Sequence, residues 1–349
     1  MSKVYFTDMR TSFTENLPKK LTRLIDRAGL GTIDFDHKFV AIKIHFGEMG
    51  NLAYLRPQYA RALAAYIKER GGLPFLTDCN TLYVGSRKNA LEHIETAYIN
   101  GYTPYATGCQ VIIADGVRGT DEAYIPIGCE EVKTAKIGRA IADADIIISL
   151  NHFKGHEDAG FGGALKNLGM GSGSRAGKME MHYDGKPVVD RDRCRGCRKA
   201  VIDHDNCVGC GRCIAICSFD AIKPHNSSSE ASLNRRIAEY AYAVVKDKPN
   251  FHISIAADIS PNCDCHPEND APIVPNIGMF ASFDPVAIDL AAADAVNAMP
   301  ANPRSALSEA ECRCHDHFIN VHPNTNWRVQ IEHGEEIGLG SSEYELIRI

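Results

Sequence analysis

Short apolar runs alternate with longer stretches of helical period through the first half of the chain. The run KFVAIKIHF (38–46) predicts a strand, and RPQYARALAAYIKERGG (56–72) a helix ended by its glycines. LPFLTDC (73–79) predicts the next strand and SRKNALEHIETAYINGY (86–102) the next helix. CQVIIADG (109–116), VKTAKIGRAIADA (132–144) and DIIISLNHF (145–153) continue the alternation. The opening MSKVYFTDMRTSF reads as an immediate strand, without the apolar core and cleavage site of a signal peptide. Strand–helix–strand repetition predicts an α/β fold, a mostly parallel sheet with helices on both faces. Ligands of such sheets sit beyond the carboxyl ends of strands. That singles out His45, Asp78, Asp115, Asn151 and His152.

The pattern breaks after GGALKNLGMGSGSRAGK. Residues 186–226 are poor in large apolar groups and rich in cysteine, a composition that needs a metal to fold. Beyond them, NSSSEASLNRRIAEYAYAVVKD predicts a polar loop and a helix, and NFHISIAADIS (250–260) a strand. DPVAIDLAAADAVNAM (284–299) predicts a helix with Asp284 as N-cap and Pro285 at its first position. The expected division is therefore an α/β domain in two parts, 1–185 and 227–349, split by a small α+β metal-binding insert at 186–226.

Composition narrows the function classes. Apolar residues make up 44% and charged residues 23% of the 349, the balance of an ordinary globular protein. A net charge of −6 argues against nucleic acid as a partner, because phosphate binding needs a basic surface. There is no apolar run long enough to span a membrane. Thirteen cysteines without an export signal point to metal ligation in a reducing cytoplasm rather than to disulfides.

Their placement sharpens this. Cys207, Cys210, Cys213 and Cys217 have the C-x2-C-x2-C-x3-C ligand spacing of bacterial ferredoxins. Ser218 stands where proline usually follows the fourth cysteine. The small spacers Gly209 and Gly211 let backbone amides approach sulfur. VVDRDRCRGC (188–197) aligns with VIDHDNCVGC (201–210) at an offset of 13, with six identities in ten. The first copy supplies Cys194 and Cys197 and then stops; His204 corresponds in the repeat to Arg191, a turn position. In two-cluster ferredoxins the fourth cysteine of a motif reaches the other cluster. Cys207, Cys210 and Cys213 are thus expected to hold one 4Fe-4S cluster whose fourth ligand is not evident. Cys217, Cys194 and Cys197 remain as three ligands of a second. Either that second cluster is degenerate or residues are missing after Arg198.

Two further constellations carry chemistry. GFGGALKNLGMGSGS offers exposed amides for an anion, with Gly162 and Gly163 at its start. Lys154, Lys166 and Arg175 gather there with His152, His156 and His182, predicting a cradle for a small anionic molecule. NCDCHPE and ECRCHDH contain Cys263, Cys265, His266 and Cys312, Cys314, His315. In an extended segment each Cys-x-Cys presents both sulfurs on one side. Such pairs can bind a metal, supply cluster ligands or form a redox dithiol; an additional metal is expected at Cys263 and Cys265. Cys79, Cys109 and Cys129 read as small core residues, and Asp78, Asn80, Thr81 and Tyr83 as a polar strand end.

The order SLNHFKGHEDAGFGGALKNLGMG, cysteine insert, DISPNCDCHPENDAPIVPNIGMFASFDPVAID resembles a widespread prokaryotic iron–sulfur family. That family is known mainly as a domain of unknown function with a ferredoxin-like 4Fe-4S insert. The resemblance runs from Lys43 to the closing IGLGSSEYELI; it implies iron–sulfur clusters and redox work, and names no substrate. The shortened first motif departs from the family's two-motif insert. A shorter stretch, HEDAGFGGALK followed by His182, is similar to the nickel-pincer lactate racemases. There the lysine matching Lys166 tethers the cofactor and a histidine 16 residues on, as His182 is here, binds nickel. His156 precedes the lysine by 10 residues, as in that family, and LRP at 55–57 echoes its arginine–proline motif.

Three readings follow. The first is an oxidoreductase passing electrons between a ferredoxin-like partner protein and a small anionic substrate bound near His45, His156, Lys166 and His182. In it a lysine steadies the anion and a histidine moves the proton. The second is a non-catalytic electron carrier or iron–sulfur scaffold; the third is a relative of the nickel-pincer isomerases. Cluster potentials span roughly −700 to +450 mV, so the ligands alone do not set the direction of electron flow.

Overall fold

Eight strands form one twisted sheet in the computed structural model, which describes residues 1–83, 85–182, 186–197, 201–224, 229–311 and 313–349. Their spatial order is Tyr344–Arg348, Ser2–Asp8, Gly278–Ser282, Asn250–Ala256, Ile146–His152, Phe39–Lys43, Leu73–Asp78, Gln110–Ile113. Every pairing is parallel except the two made by Gly278–Ser282. The fold is the expected α/β class: a mostly parallel sheet with helices on both faces.

Alternation along the strands divides the core in two. Val40, Ile42, Ile146, Ile148 and Leu150 face one apolar cluster, beneath Leu17–Arg27 and Pro57–Lys68. Ala41 and Ile147 face the other, beneath Ala164–Ser172, Glu230–Val245 and Pro285–Asn297. The central strand Ile146–His152 is buried at every position, as a strand covered on both faces must be. Asp284 caps its helix as expected, accepting from the amides of Val286 and Ala287 at 2.9 Å each.

One expected stretch divides differently. VKTAKIGRAIADA contains a strand, Thr134–Gly138, paired antiparallel with Glu122–Pro126, before the short helix Arg139–Asp143. Ala135 and Ile137 are buried two apart, so the period of 2 there outweighs helical propensity.

Topology places the site. From Phe39–Lys43 the chain winds outward through Leu73–Asp78 to Gln110–Ile113, then returns to the opposite side of Phe39–Lys43 as Ile146–His152. The helices that follow these two neighbouring strands lie on opposite faces of the sheet. Such a reversal opens a crevice at the carboxyl ends of the strands. His45 and the segment 152–156 leave the sheet at that crevice.

The cysteine segment lies between the helices Arg175–His182 and Glu230–Val245. Its ends pair as the antiparallel strands Pro187–Val189 and Ile222–Pro224. Ile214 and Ile222 pack on Leu82 and Met179 of the α/β part, with Cys213 at the edge of that contact. The offset of 13 is visible in the backbone. Asp190 Oδ1 accepts from the amides of Asp192 and Arg193, and Asp203 Oδ1 from those of Asp205 and Asn206. Gly196 and Gly209 follow at φ of 68° and 67°. His204 is an exposed turn residue in the second copy, as Arg191 is in the first. The junction at 198–200 lies outside the described residues, as does Cys312.

Candidate functional site

A cavity of about 530 Å³ fills the crevice. Its floor is made by strand ends: Lys43, His45, Asp78, Asn151 and His152. Its sides come from the hairpin of Lys154–His156 and Gly160–Gly162, the helix Ala164–Ser172 and the turn at Cys263 and Cys265. Ile214, Asp220, Ile222 and Lys223 of the insert form the remaining wall. Of the residues expected to act here, His45, His152, Lys154, His156, Gly163, Lys166, His182, Cys263 and Cys265 all line it. None of the six insert cysteines does.

The floor is an ion-pair network. Asp78 Oδ1 lies 3.0 Å from Lys43 Nζ, and its Oδ2 3.7 Å from Arg87 Nη1. Arg87 also pairs with Glu48 at 3.1 Å and donates to the Tyr83 hydroxyl. Burial alone would raise the Asp78 carboxyl; Lys43, His93, Lys178 and Arg87 hold it below its ordinary value. Asp115 ends a neighbouring strand but does not line the cavity; its Oδ1 accepts from the Asn80 amide and side chain at 3.0 and 2.8 Å. Asn80 is thereby a structural partner of Asp115, while Asp78, Thr81 and Tyr83 face the cavity.

The histidines differ in what they can offer. His152 is committed: Nδ1 lies 2.9 Å from Asp264 Oδ2, and Nε2 lies 2.8 Å from the Ala257 carbonyl. It anchors the cysteine turn rather than a ligand. His45 Nδ1 accepts from the Gly47 amide at 3.1 Å, which leaves its Nε2 to carry the proton of the neutral ring. Burial, with Arg87 and Lys154 beside it, pushes His45 well below the ordinary histidine value. His182 is pushed down to about 3 by burial and by Lys166. Both rings are neutral at pH 7.

The Cys-x-Cys pair is gathered by a turn, not by an extended segment. The His266 amide donates to the Cys263 carbonyl at 3.1 Å, and the Cys265 amide to Cys263 Sγ at 3.4 Å. Gly155 lets the hairpin lie against this loop: its amide donates to the Ser260 carbonyl at 2.9 Å, and any side chain there would strike Pro261. Ligand atoms of His156, Cys263 and Cys265 lie within 4.8 Å of one another, as do those of Glu157, Cys265 and His266. Such groups are close enough to hold a metal ion. A hydrogen bond from Cys265, then Lys166, Lys154 and a hydrogen bond from His156, hold the Cys263 thiol well below its ordinary value. The Cys265 thiol is pushed up by the same bond and by burial.

Glu157 and His266 pair at 2.9 Å. That bond pushes His266 up to about 9. Burial would raise Glu157, but His156 and His266 outweigh it and hold the carboxyl below its ordinary value.

Two expectations change. The amides of the glycine-rich stretch already have an internal anion: Asp289 accepts from Ala164 N at 2.6 Å and Leu165 N at 2.8 Å. A side chain at Gly163 would collide with that carboxylate, which burial pushes up to about 7. Gly163 therefore makes room for a cap, while Gly162 lies against Lys154 and Lys166. Arg175 is not part of the cradle; it is buried beneath the insert, donating to the carbonyls of Arg118 and Lys88. Lys166 differs from the other cavity cations: among the described residues it makes no hydrogen bond or ion pair, and its charge acts on Glu157, Cys263 and His182.

The second Cys-x-Cys segment does not reach the cavity through its described members. Cys314 turns its amide and thiol to Asn320 Oδ1, at 2.9 and 3.0 Å. Cys79 and Cys109 are buried and Cys129 is half-buried. Sequence reading passes over Lys43 and Arg87, which no motif marks, and over Glu157 and Asp264, which lie inside HEDAGFGGALK and NCDCHPE beside the residues those stretches single out. Lys43 and Glu157 do adjoin strand-end residues that position alone would select.

Among the described residues, no helix is long and apolar enough to cross a membrane. No curated protein matches the sequence significantly. Among solved structures, a protein from Thermotoga maritima is similar at 12% identity and a TM-score of 0.41, over 79% of this chain and 56% of that one. The lactate racemase apoprotein from Thermoanaerobacterium thermosaccharolyticum is similar at 11% identity and a TM-score of 0.40, over 74% of this chain and 51% of that one. The chain thus spans little more than half the length of either. Residues 40–294 match the family described as Domain of unknown function (DUF362), and the chain belongs to it.

Proposed function

We propose that the protein is an iron–sulfur oxidoreductase, exchanging electrons with a ferredoxin-like partner and acting on a small anionic molecule in the cavity. The observation that carries this reading is the shared wall: the insert's Ile214, Asp220, Ile222 and Lys223 close the same cavity that Lys43, Lys154 and Lys166 make cationic. A small acid there meets Lys166, whose ammonium has no competing ion pair among the described residues. His45 offers it an Nε2 proton.

The insert's residues suit a 4Fe-4S cluster. Gly209 and Gly211 both take positive φ, the backbone conformation with which short loops turn amides toward a bound anion. Burial, with Cys210 and Cys207 beside it, raises the Cys213 thiol, a cost that bound iron relieves. Arg175 Nη1 is buried and has no acceptor among the described residues, and a side chain at Gly211 would come within 2.7 Å of Arg175. A guanidinium N–H in that position is suited to cluster sulfur, and hydrogen bonds to sulfur tune potential. When bound, the cluster supplies one-electron transfer at the cavity wall. Cys207, Cys210 and Cys213 would hold it, with Cys217, Cys194 and Cys197 as the remaining candidates.

The test uses anaerobically purified, reduced protein titrated with a panel of small carboxylates and phosphates. An active anion restores the oxidised visible spectrum in the wild type and at least tenfold more slowly in Lys166→Ala, the order of magnitude a lost charge contact gives. If no anion is turned over or bound, while electrons still pass to a ferredoxin, the protein is a carrier. Lys166, His156 and His182 also share the cavity, so nickel is measured in the same sample; stoichiometric nickel lost on His182→Ala would replace the redox reading.

A further inference from the structure

We infer that Cys263 and Cys265 form a reversible dithiol–disulfide couple that exchanges with small anionic disulfides entering the cavity. The turn between them sets both sulfurs on one side, and both line the cavity. What distinguishes a dithiol from a metal site is the histidine beside it. His156 Nδ1 accepts two backbone amides, Asp158 N at 3.0 Å and Ala159 N at 3.2 Å. A nitrogen so occupied carries no proton, so the proton of the neutral ring lies on Nε2. His156 stands beside the pair, with a ring nitrogen within 4.8 Å of both sulfurs. An ion bound through Nε2 would need that proton moved to Nδ1, against two amide donors. The arrangement instead sets an imidazole N–H beside two cysteine sulfurs that line one cavity, the setting that activates a nucleophilic cysteine.

The surrounding charges select the partner. Lys154 and Lys166 flank Cys263, with Lys43 deeper and Lys223 on the opposite wall. A disulfide bearing carboxylates is drawn in by these cations. Cys263 S⁻ attacks one sulfur of the disulfide, forming a mixed disulfide and breaking the S–S bond, and the first thiolate leaves. Cys265, after giving up its proton, attacks Cys263 Sγ, which expels the second thiolate and closes the Cys263–Cys265 bond. Two electrons pass from the pair to the incoming disulfide. The two leaving thiolates take up protons, one from Cys265 and one from solvent. A dithiol reductant reverses the reaction by the same exchange. None of these steps requires the iron–sulfur cluster, so the couple stands or falls separately from the proposed function.

The full-length protein, prepared without oxygen and with its iron counted, is exposed to oxidised glutathione or to neutral bis(2-hydroxyethyl) disulfide. Intact mass and peptide mapping follow each cysteine. The expected result is loss of two hydrogens with a Cys263–Cys265 link, restored by dithiothreitol. Cys265→Ser should trap glutathione on Cys263, and Cys263→Ser should abolish the trapped adduct at this turn. The anionic disulfide should react about tenfold faster than the neutral one, and Lys166→Ala should reduce that preference. The inference is overturned if the pair stays reduced while other thiols react, or if one zinc per chain protects both cysteines. It is also overturned if the two disulfides react equally at Cys263.

Discussion

Around Asp78, Lys43 and Arg87 converge on one carboxylate with His93 behind them; Lys43 is further held by Asn167 and Arg87 by Glu48. Around Cys207 the picture is the reverse. The insert buries few of its described apolar side chains: Val201 is 76% and Val208 82% exposed, Val188, Val189, Ile202 and Ile222 are half-buried, and Pro187, Ile214 and Ala221 are buried. Both regions border one cavity, yet the first is set by a packed sheet and the second by two Asx-type turns and one small hydrophobic contact. A polar site on a large core can be positioned by protein alone. A cysteine loop with almost no core needs its ligand to reach one structure.

The largest effect that separates the two regions is loss of metal. Replacing Cys207 and Cys210 by serine should make the segment 186–226 about a hundredfold more sensitive to protease, with cleavage mapped by mass spectrometry. The thermal transition of the α/β part should remain. Equal loss of both transitions would mean that the insert is integral to the core.

Next in size is the cap on Ala164–Ser172. Asp289→Ala leaves two buried amides without their acceptor and should destabilise the protein by about 3 kcal/mol in urea unfolding. Asp289→Asn keeps one acceptor oxygen and removes a charge that burial disfavours, so it should cost less than half as much. A cap that mattered little would make the two variants alike.

Lys166→Ala should act on binding alone. Having no bond to lose among the described residues, it should leave the melting temperature nearly unchanged while weakening binding of small carboxylates about tenfold by calorimetry. A large drop in melting temperature would show that the lysine supports the fold instead.

The smallest effect is a pH dependence at the rim. His266 is raised by Glu157 to about 9, above the ordinary 6.5, so its contribution to stability is complete below about pH 6.5. It should decline between 6.5 and 9 and vanish above. The stability difference between wild type and His266→Gln, measured by urea unfolding across that range, should follow this course; a constant difference would dissociate His266 from Glu157.

How much of this was legible in the sequence follows from range. The strands at 38–46, 73–79, 109–116 and 145–153 declare themselves through local periodicity, and the strand ends lead to His45, Asp78 and His152. The insert's repeat is equally local, and its turns reproduce it residue for residue. What stays hidden depends on distant partners. Nothing near Gly163 announces that Asp289 will fill its space, and nothing near Arg175 announces the insert above it. The Cys263–Cys265 pair was identifiable by spacing. Its turn and its histidine, though, arise from packing of Gly155 against Pro261, more than a hundred residues away in the chain.

The central claim, that the cysteine insert carries an iron–sulfur cluster beside a cationic cavity, is tested most directly by metal analysis with EPR on oxygen-free protein. The account predicts about four irons and four acid-labile sulfides per chain and a paramagnetic signal on reduction. Colourless protein containing zinc alone, with no signal after reduction, would contradict it.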